Sequence, residues 1–143
     1  MSNHSDPSII ERSVTSTHVW LKETAEELGS DDREYAYRAL RAVLHTLRDR
    51  LPVQTAAALA AQLPTLIRGI YYEEWSPHRT PVAIRNVDQF LDQVASVGGM
   101  AGETEASMSV EAVTRVLRRN VGEGQLEDVL AVLPEKLKSL IAA

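Results

Sequence analysis

The residues that come closest to a metal-binding pattern lie near the middle of the 143-residue chain. Glu74 and His78 are four positions apart, a spacing at which two ligands on one helix can bind the same ion. Pro77 lies between them, and proline breaks the continuous helix that this spacing requires. Glu73 precedes the pair, but no further ligand occurs at helical spacing. We therefore expect no metal site.

The chain carries none of the short motifs that identify a common catalytic site. It has no cysteine for a thiolate nucleophile or a zinc site, and no Gly-x-Ser-x-Gly, phosphate-loop or dinucleotide motif. The acid pairs Glu26-Glu27 and Glu127-Asp128 are more typical of acidic helix faces than of catalytic dyads, because a dyad needs a desolvated cleft. We expect no catalytic residue and no cofactor, and a protein that is not an enzyme.

Basic residues form a stripe on the predicted second helix. Its members lie within about 80° of one another, opposite the Leu/Val face, and they are Arg38, Arg41, His45 and Arg48. The predicted sixth helix carries a second set, Arg115, Arg118 and Arg119. One hypothesis is a patch for an anion, an RNA or an acidic protein. The alternative, which we favour, is a solvated face paired with nearby carboxylates. Nucleic acid is not expected as a partner, because no aromatic residues interleave the stripe to stack bases.

Three of the seven aromatic residues cluster within five positions, and they are Tyr71, Tyr72 and Trp75. Large aromatic side chains with few rotatable bonds often anchor interfaces. The cluster is thus a candidate interaction surface for a homodimer or an unidentified protein partner. The alternative, which we favour for Tyr71 and Trp75, is that they fill a junction inside the protein.

Composition indicates one globular domain, because 44% of the residues are hydrophobic and 24% are charged, with a net charge of −5. Residues Met1 to Arg12 lack the plan of a secretory signal. The most apolar stretch, Ala56 to Ile70, is interrupted by polar residues and falls short of the roughly 20 apolar residues of a membrane helix. We expect a cytoplasmic location and no membrane partner.

Apolar residues recur at helical spacing along most of the chain, and no alternating β-branched run predicts a strand. The first helix, capped by Asp6 and stopped by Gly29, carries a continuous apolar face that includes Ile10 and Val14. A capping box of Asp31 and Glu34 starts the second. Prolines and glycines separate the remaining six predicted helices. These are 53–62, 64–72, a helix capped by Asn86, a helix at about 105–120, and two more helices up to the last residue. The sequence therefore predicts an all-α fold of about eight helices.

The two halves of the chain align without a gap when 70 is added to each position. Trp20-Leu21 then matches Phe90-Leu91, Leu63-Pro64 matches Leu133-Pro134, and Gly29 matches Gly99. We predict a single domain, 1–143, made of two pseudo-symmetric four-helix units, 8–72 and 86–143, joined by a linker loop at 73–85. Units of about 60 residues are marginal alone, so the two are expected to share one bundle-like core.

Several strings along the chain are distinctive together: DDREYAYRALRAVLH (31–45), LRDRLP (47–52), AAQLP (60–64), YYEEW (71–75) and EGQLED (123–128). With these motifs the chain resembles the bacterial domain of unknown function 2267 family over almost its whole length. The resemblance implies a small, all-helical bacterial protein. It implies no activity, ligand or partner, and no functional residue can be transferred from it.

A non-enzymatic protein-interaction or regulatory module is the function that these features favour. The distinctive residues lie on apolar faces, arginine stripes and an aromatic cluster, not in a catalytic motif. The alternative is a small-ligand or anion-binding protein with a pocket between the two units. The aromatic residues considered for its lining are Trp20, Tyr37, Tyr71 and Trp75.

Overall fold

A computed structural model describes residues 7–142, which form eight α-helices and no strand, so the predicted all-α fold is confirmed. The predicted loop around residues 75–81 contains one 3₁₀ turn, Pro77–Arg79. The helices are α1 (Ser8–Leu28), α2 (Arg33–Arg50), α3 (Val53–Ala60), α4 (Thr65–Tyr72), α5 (Val87–Gly98), α6 (Glu103–Asn120), α7 (Glu123–Ala131) and α8 (Glu135–Ala142).

Side-chain caps start two of the helices. Asn86 Oδ1 accepts a hydrogen bond from the amide of Gln89 at 2.8 Å, as predicted. For α2 the prediction was one residue off: Asp32, not Asp31, accepts from the amides of the second and third helical residues, at 3.0 and 3.2 Å. The predicted Asp6 cap of α1 lies outside the described residues.

The start of α6 is a second correction. The helix begins at Glu103, two residues before the predicted Glu105, because Gly102 takes the N-cap position. The Glu105 carboxylate instead reaches back and accepts from the amide of Ala101 at 3.0 Å. An acidic side chain in the first turn thus satisfies a backbone donor that the helix itself leaves unpaired.

Glycines end α1 and α5 in the same way, and both predicted stops are confirmed. Gly29 has φ of 69° and Gly99 has φ of 63°, in the left-handed region that costs glycine little. In each case the next amide turns back onto the last helical turn: Ser30 donates to Ala25 O at 2.9 Å and Met100 to Ala95 O at 2.8 Å.

The centre of the bundle is the pair α2 and α6. These two helices pack against each other, and α1 and α5 each pack against both. Helix α4 packs on α1 and α2, α8 packs on α5 and α6, and α3 packs on α7. One continuous hydrophobic core therefore draws on both halves of the chain, with Leu44 and Tyr71 from the first and Val113 and Ile141 from the second.

Helix bounds repeat along the chain at an offset of 70: α2 and α6 begin and end 70 residues apart, and so do α4 and α8. Helices α1 and α5 also end 70 residues apart, but α1 has 21 residues and α5 has 12. Residues 8–16 of α1 therefore have no helical counterpart, since residues 78–86 lie in the segment between α4 and α5. The duplication of a four-helix unit stays a prediction.

We expect that a fragment ending at Arg85 does not fold cooperatively, because it would expose the face of α2 that packs on α5 and α6. Circular dichroism should show reduced helicity and a broad, non-cooperative thermal transition. A fully helical fragment that melts in one sharp transition would contradict the shared core.

Candidate interaction and anion-binding surfaces

The predicted basic stripe of α2 does not form one exposed face. His45 is 4% exposed and Arg48 is 2% exposed, so the expectation of a solvated stripe is wrong for these two residues. The reason is that α4 packs across this side of α2. A helical wheel places polar residues opposite the apolar face, but it does not show whether a second helix covers them.

Arg48 binds the end of α4. Its Nη1 donates to the carbonyl oxygens of Tyr71 and Glu73 at 2.6 and 2.8 Å, and its Nε donates to Asp49 Oδ1 at 2.8 Å. The last carbonyl groups of a helix have no partner within that helix and carry its negative dipole end. A buried guanidinium satisfies them from outside, so Arg48 has a structural role in attaching α4 to α2.

His45 binds the same helix end one turn earlier. Its Nε2 lies 2.7 Å from the carbonyl oxygen of Ile70, and because a carbonyl only accepts, Nε2 must carry the proton. Burial lowers the pKa of His45, and the nearby Arg48 and Arg41 lower it further, against the raising effects of the Ile70 hydrogen bond and of Asp49. The imidazole is therefore held neutral near pH 7.

The other two members of the α2 stripe also contact the protein itself. The Arg41 guanidinium, partly buried, donates to the carboxylates of Glu73 and Glu74, each at 3.2 Å. Arg38 donates to the carbonyl oxygen of Gly98, the last residue of α5, at 2.9 Å, and lies over the ring of Tyr35. Pairing with nearby carboxylates, the alternative favoured from the sequence, describes Arg41, whereas the contacts of Arg38, His45 and Arg48 with backbone carbonyls were not predicted. The sequence feature that could have predicted contacts with backbone carbonyls is that α4 is short and α5 ends in glycine, because the last carbonyl groups of both helices need donors from outside.

The arginines of α6 are more exposed. The Arg115 and Arg119 side chains are 50% and 45% exposed, and together with Arg118 they line a shallow hollow of about 310 Å³. Arg115 pairs with Glu27 and Glu111, and Arg119 with Glu23 and Glu27. These carboxylates offset most of the positive charge that an anion would need. They also link α1 to α6.

The aromatic cluster divides between the core and its edge. Tyr71 is fully buried and its hydroxyl donates to Ala56 O at 2.8 Å, so it is not part of an interaction surface; the favoured alternative, a place inside the protein, is the correct one for Tyr71. Tyr72 and Trp75 are half-buried, with ring centroids 5.1 Å apart. The indole Nε1 of Trp75 is buried without a hydrogen-bond partner among the described residues. The structure thus keeps these two at the edge of the core.

The four aromatic residues considered for a ligand pocket do not line one together. Trp20 and Tyr71 belong to the hydrophobic core, Trp75 packs against its edge, and Tyr37 is half-buried outside it. Trp20 reaches the wall of a hollow of about 250 Å³ between α1, the α3–α4 turn and the end of α6. Within residues 7–142 we find no group of three or more His, Asp or Glu side chains placed to hold a metal, and no helix long and apolar enough to cross a membrane.

An exposed apolar face lies at the start of α1, where the sequence predicted a continuous core-facing stripe. Ile9, Ile10 and Val14 are 46%, 52% and 44% exposed. Leu66 is 45% exposed beside them, and its amide donates to Ser13 Oγ at 3.1 Å. We call these four residues the α1 amino-terminal face. Helix α4 contacts α1 here, but these four side chains stay largely exposed.

A family model described as "Uncharacterized conserved protein (DUF2267)" matches residues 17–140. The chain belongs to this family. The resemblance predicted from the sequence motifs is thereby confirmed, and the family description assigns no function. A comparison with curated proteins gives no match.

We expect that Arg48→Met destabilises this DUF2267 family member by about 3 kcal/mol, because it leaves buried carbonyl groups of α4 without donors. The matched control is Arg118→Met. Arg118 lies 70 positions later but is exposed, with contacts of 3.4 Å to the carbonyls of Ile141 and Ala142. Its loss should cost about 1 kcal/mol or less. Urea unfolding measures both, and equal losses would disprove the assigned role of Arg48.

The buried His45 predicts a pH dependence of stability in this family member. Because its folded pKa lies below the ordinary value of about 6.5, the unfolded chain takes up its proton first as the pH falls. The contribution of His45 to stability is therefore present above about pH 7 and decreases as the pH falls through about 6.5.

His45→Gln keeps a donor for Ile70 O and removes the titration. The free energy of unfolding, measured between pH 8 and pH 5, should fall less steeply in this variant than in the parent. His18→Gln, at an exposed position of α1, is the control for the substitution, and its slope is compared with that of His45→Gln. If the His45 and His18 variants showed the same slope, His45 would not be the titrating group.

Proposed function

We propose that this chain is a non-enzymatic protein-interaction or regulatory module of the cytoplasm, and that it contacts its partner through the α1 amino-terminal face. The observation that carries the proposal is the concentration of exposed apolar side chains there. Among residues 7–142 eight large hydrophobic residues are exposed, and four of them form this face. Single exposed hydrophobic residues are ordinary, whereas adjacent ones mark an interaction site.

The position of the face supports the proposal. Ile10 lies two helical turns before the buried Thr17, and Ile9 three turns before the buried Trp20. The side of α1 that packs into the core thus continues toward the amino terminus, beyond the part that the core covers. There it consists of residues 8–16, which have no α-helical counterpart before α5. A helix that keeps large aliphatic residues on a side that its own fold leaves bare is suited to receive a partner.

The use of the polar residues supports a role without chemistry. His45 and Arg48 bind backbone carbonyls, and Arg41 binds two carboxylates. These groups satisfy the fold itself.

Anion binding is the second candidate function, and the hollow lined by Arg115, Arg118 and Arg119 favours it. The carboxylates of Glu23, Glu27 and Glu111 weigh against it, because two of the three guanidinium groups already have partners. Protein interaction therefore ranks first.

The proposal is tested by replacing Ile10 with a photo-crosslinking amino acid in the native host. Met108, on α6, is 49% exposed and serves as the matched control position. We expect a discrete crosslinked product at position 10 that is absent at 108, identified by mass spectrometry. Equal labelling at both positions, or none at position 10, would count against the proposal. A phosphate-dependent rise in melting temperature together with that negative result would favour anion binding.

A further inference from the structure

We infer that a second surface, a hollow between α6 and α7, binds an extended peptide segment that carries an apolar side chain next to basic residues. The hollow has a volume of about 370 Å³, and the residues that line it are Arg118, Glu123, Leu126, Glu127 and Leu130. It lies apart from the α1 amino-terminal face and goes beyond the function proposed above.

The first half of the chain shows what an arginine at this position can hold. Arg48 donates to the carbonyl of Glu73, a residue with extended backbone (φ −54°, ψ 130°) that follows α4. The chain continues to Trp75, whose ring packs against the core. Arg48 is thus covered both by the end of α4 and by the extended chain that follows it. The carbonyl of Glu73 contacts its guanidinium, and Trp75 follows two residues later in the sequence.

Arg118 occupies the corresponding position on α6 but is left open. It donates to Ile141 O and Ala142 O at 3.4 Å each, near the limit of a hydrogen bond, and its side chain is exposed. Ile141 and Ala142 lie 70 and 71 positions after Tyr71, whose carbonyl is bound by Arg48. The side chain of Arg118 is exposed, whereas that of Arg48 is buried. Arg118 therefore keeps donor capacity for a carbonyl supplied by another chain.

The lining of the hollow defines the chemistry of that chain. Leu126 and Leu130 are one helical turn apart and form an apolar floor. Glu123 and Glu127 are also one turn apart, and neither pairs with a basic side chain within the described part of the protein. A peptide that fits has a carbonyl for Arg118, an apolar side chain for the leucines, and Lys or Arg for the glutamates.

The charges next to Arg118, compared with those at the positions 70 residues earlier, favour a basic segment. The positions 70 residues before the two glutamates are Val53 and Ala57, which are uncharged. The segment that Arg48 holds in the first half is acidic, with Glu73 and Glu74. An acidic rim beside Arg118 would repel such a segment and attract one of opposite charge.

The experiment measures fluorescence polarisation of labelled pentapeptides with the full chain. The basic probe is Lys-Lys-Trp-Lys-Gly, and the two comparison probes are Glu-Glu-Trp-Glu-Gly and Lys-Lys-Gly-Lys-Gly. We expect the basic tryptophan peptide to bind at least tenfold more tightly than either. Tighter binding of the acidic peptide, or no binding of the basic one, overturns the inference.

Variants separate the hollow from the general acidity of a chain with net charge −5. Glu127→Lys and Arg118→Gln should each weaken the basic tryptophan peptide about tenfold. Glu103→Lys changes the net charge as much as Glu127→Lys does, and Arg115→Gln removes a neighbouring arginine; both lie outside the hollow and should change affinity less than twofold. Equal effects of Glu127→Lys and Glu103→Lys overturn the inference, while the crosslinking result at Ile10 is unaffected by either outcome.

Discussion

The donation from Arg48 to the carbonyl end of α4 is the interaction on which much of the first half depends. An eight-residue helix can satisfy only some of its own carbonyl groups, so α4 needs donors from outside. Arg48 and His45 provide them from the middle of α2, and this brings α4 across a face that would otherwise be polar and solvated. Tyr71 then points into the core and Tyr72 stays at its edge. A charge buried in this way also selects one arrangement, because sliding α4 along α2 would leave the guanidinium without acceptors.

Much of the fold could be predicted from the sequence, because helix periodicity and the residues that stop helices are local properties. Gly29, Gly99 and Asn86 act within a few residues of themselves, and their roles were correctly predicted. The candidate surfaces depend on contacts between distant residues. The stripe of α2 failed at His45 and Arg48 because their acceptors belong to another helix. The apolar stripe of α1 failed at Ile10 and Val14 because periodicity cannot show where a core ends.

The net charge of −5 conceals how the charges are distributed. On α2, Arg38 binds the carbonyl of Gly98 and Arg48 that of Tyr71. On α6, Arg115 and Arg119 bind the carboxylates of Glu23 and Glu27 of α1. Both kinds of contact join elements of the two halves or fix a helix end. A count of basic residues on a face therefore overstates its capacity for anions, since most of those donors already have acceptors.

The departures from the offset of 70 are more informative about function than the matches. Features that recur, such as the glycine stops and the buried positions of α2 and α6, are explained by packing alone. Two of the departures concern the surface: the first nine residues of α1 have no α-helical counterpart, and Arg48 is buried whereas Arg118 is exposed. The first leaves an apolar face bare and the second leaves a guanidinium open beside two glutamates. Neither improves the packing of this chain, because exposed isoleucines and unpaired carboxylates contribute little to stability. Such departures are where a fold of this kind would meet other molecules.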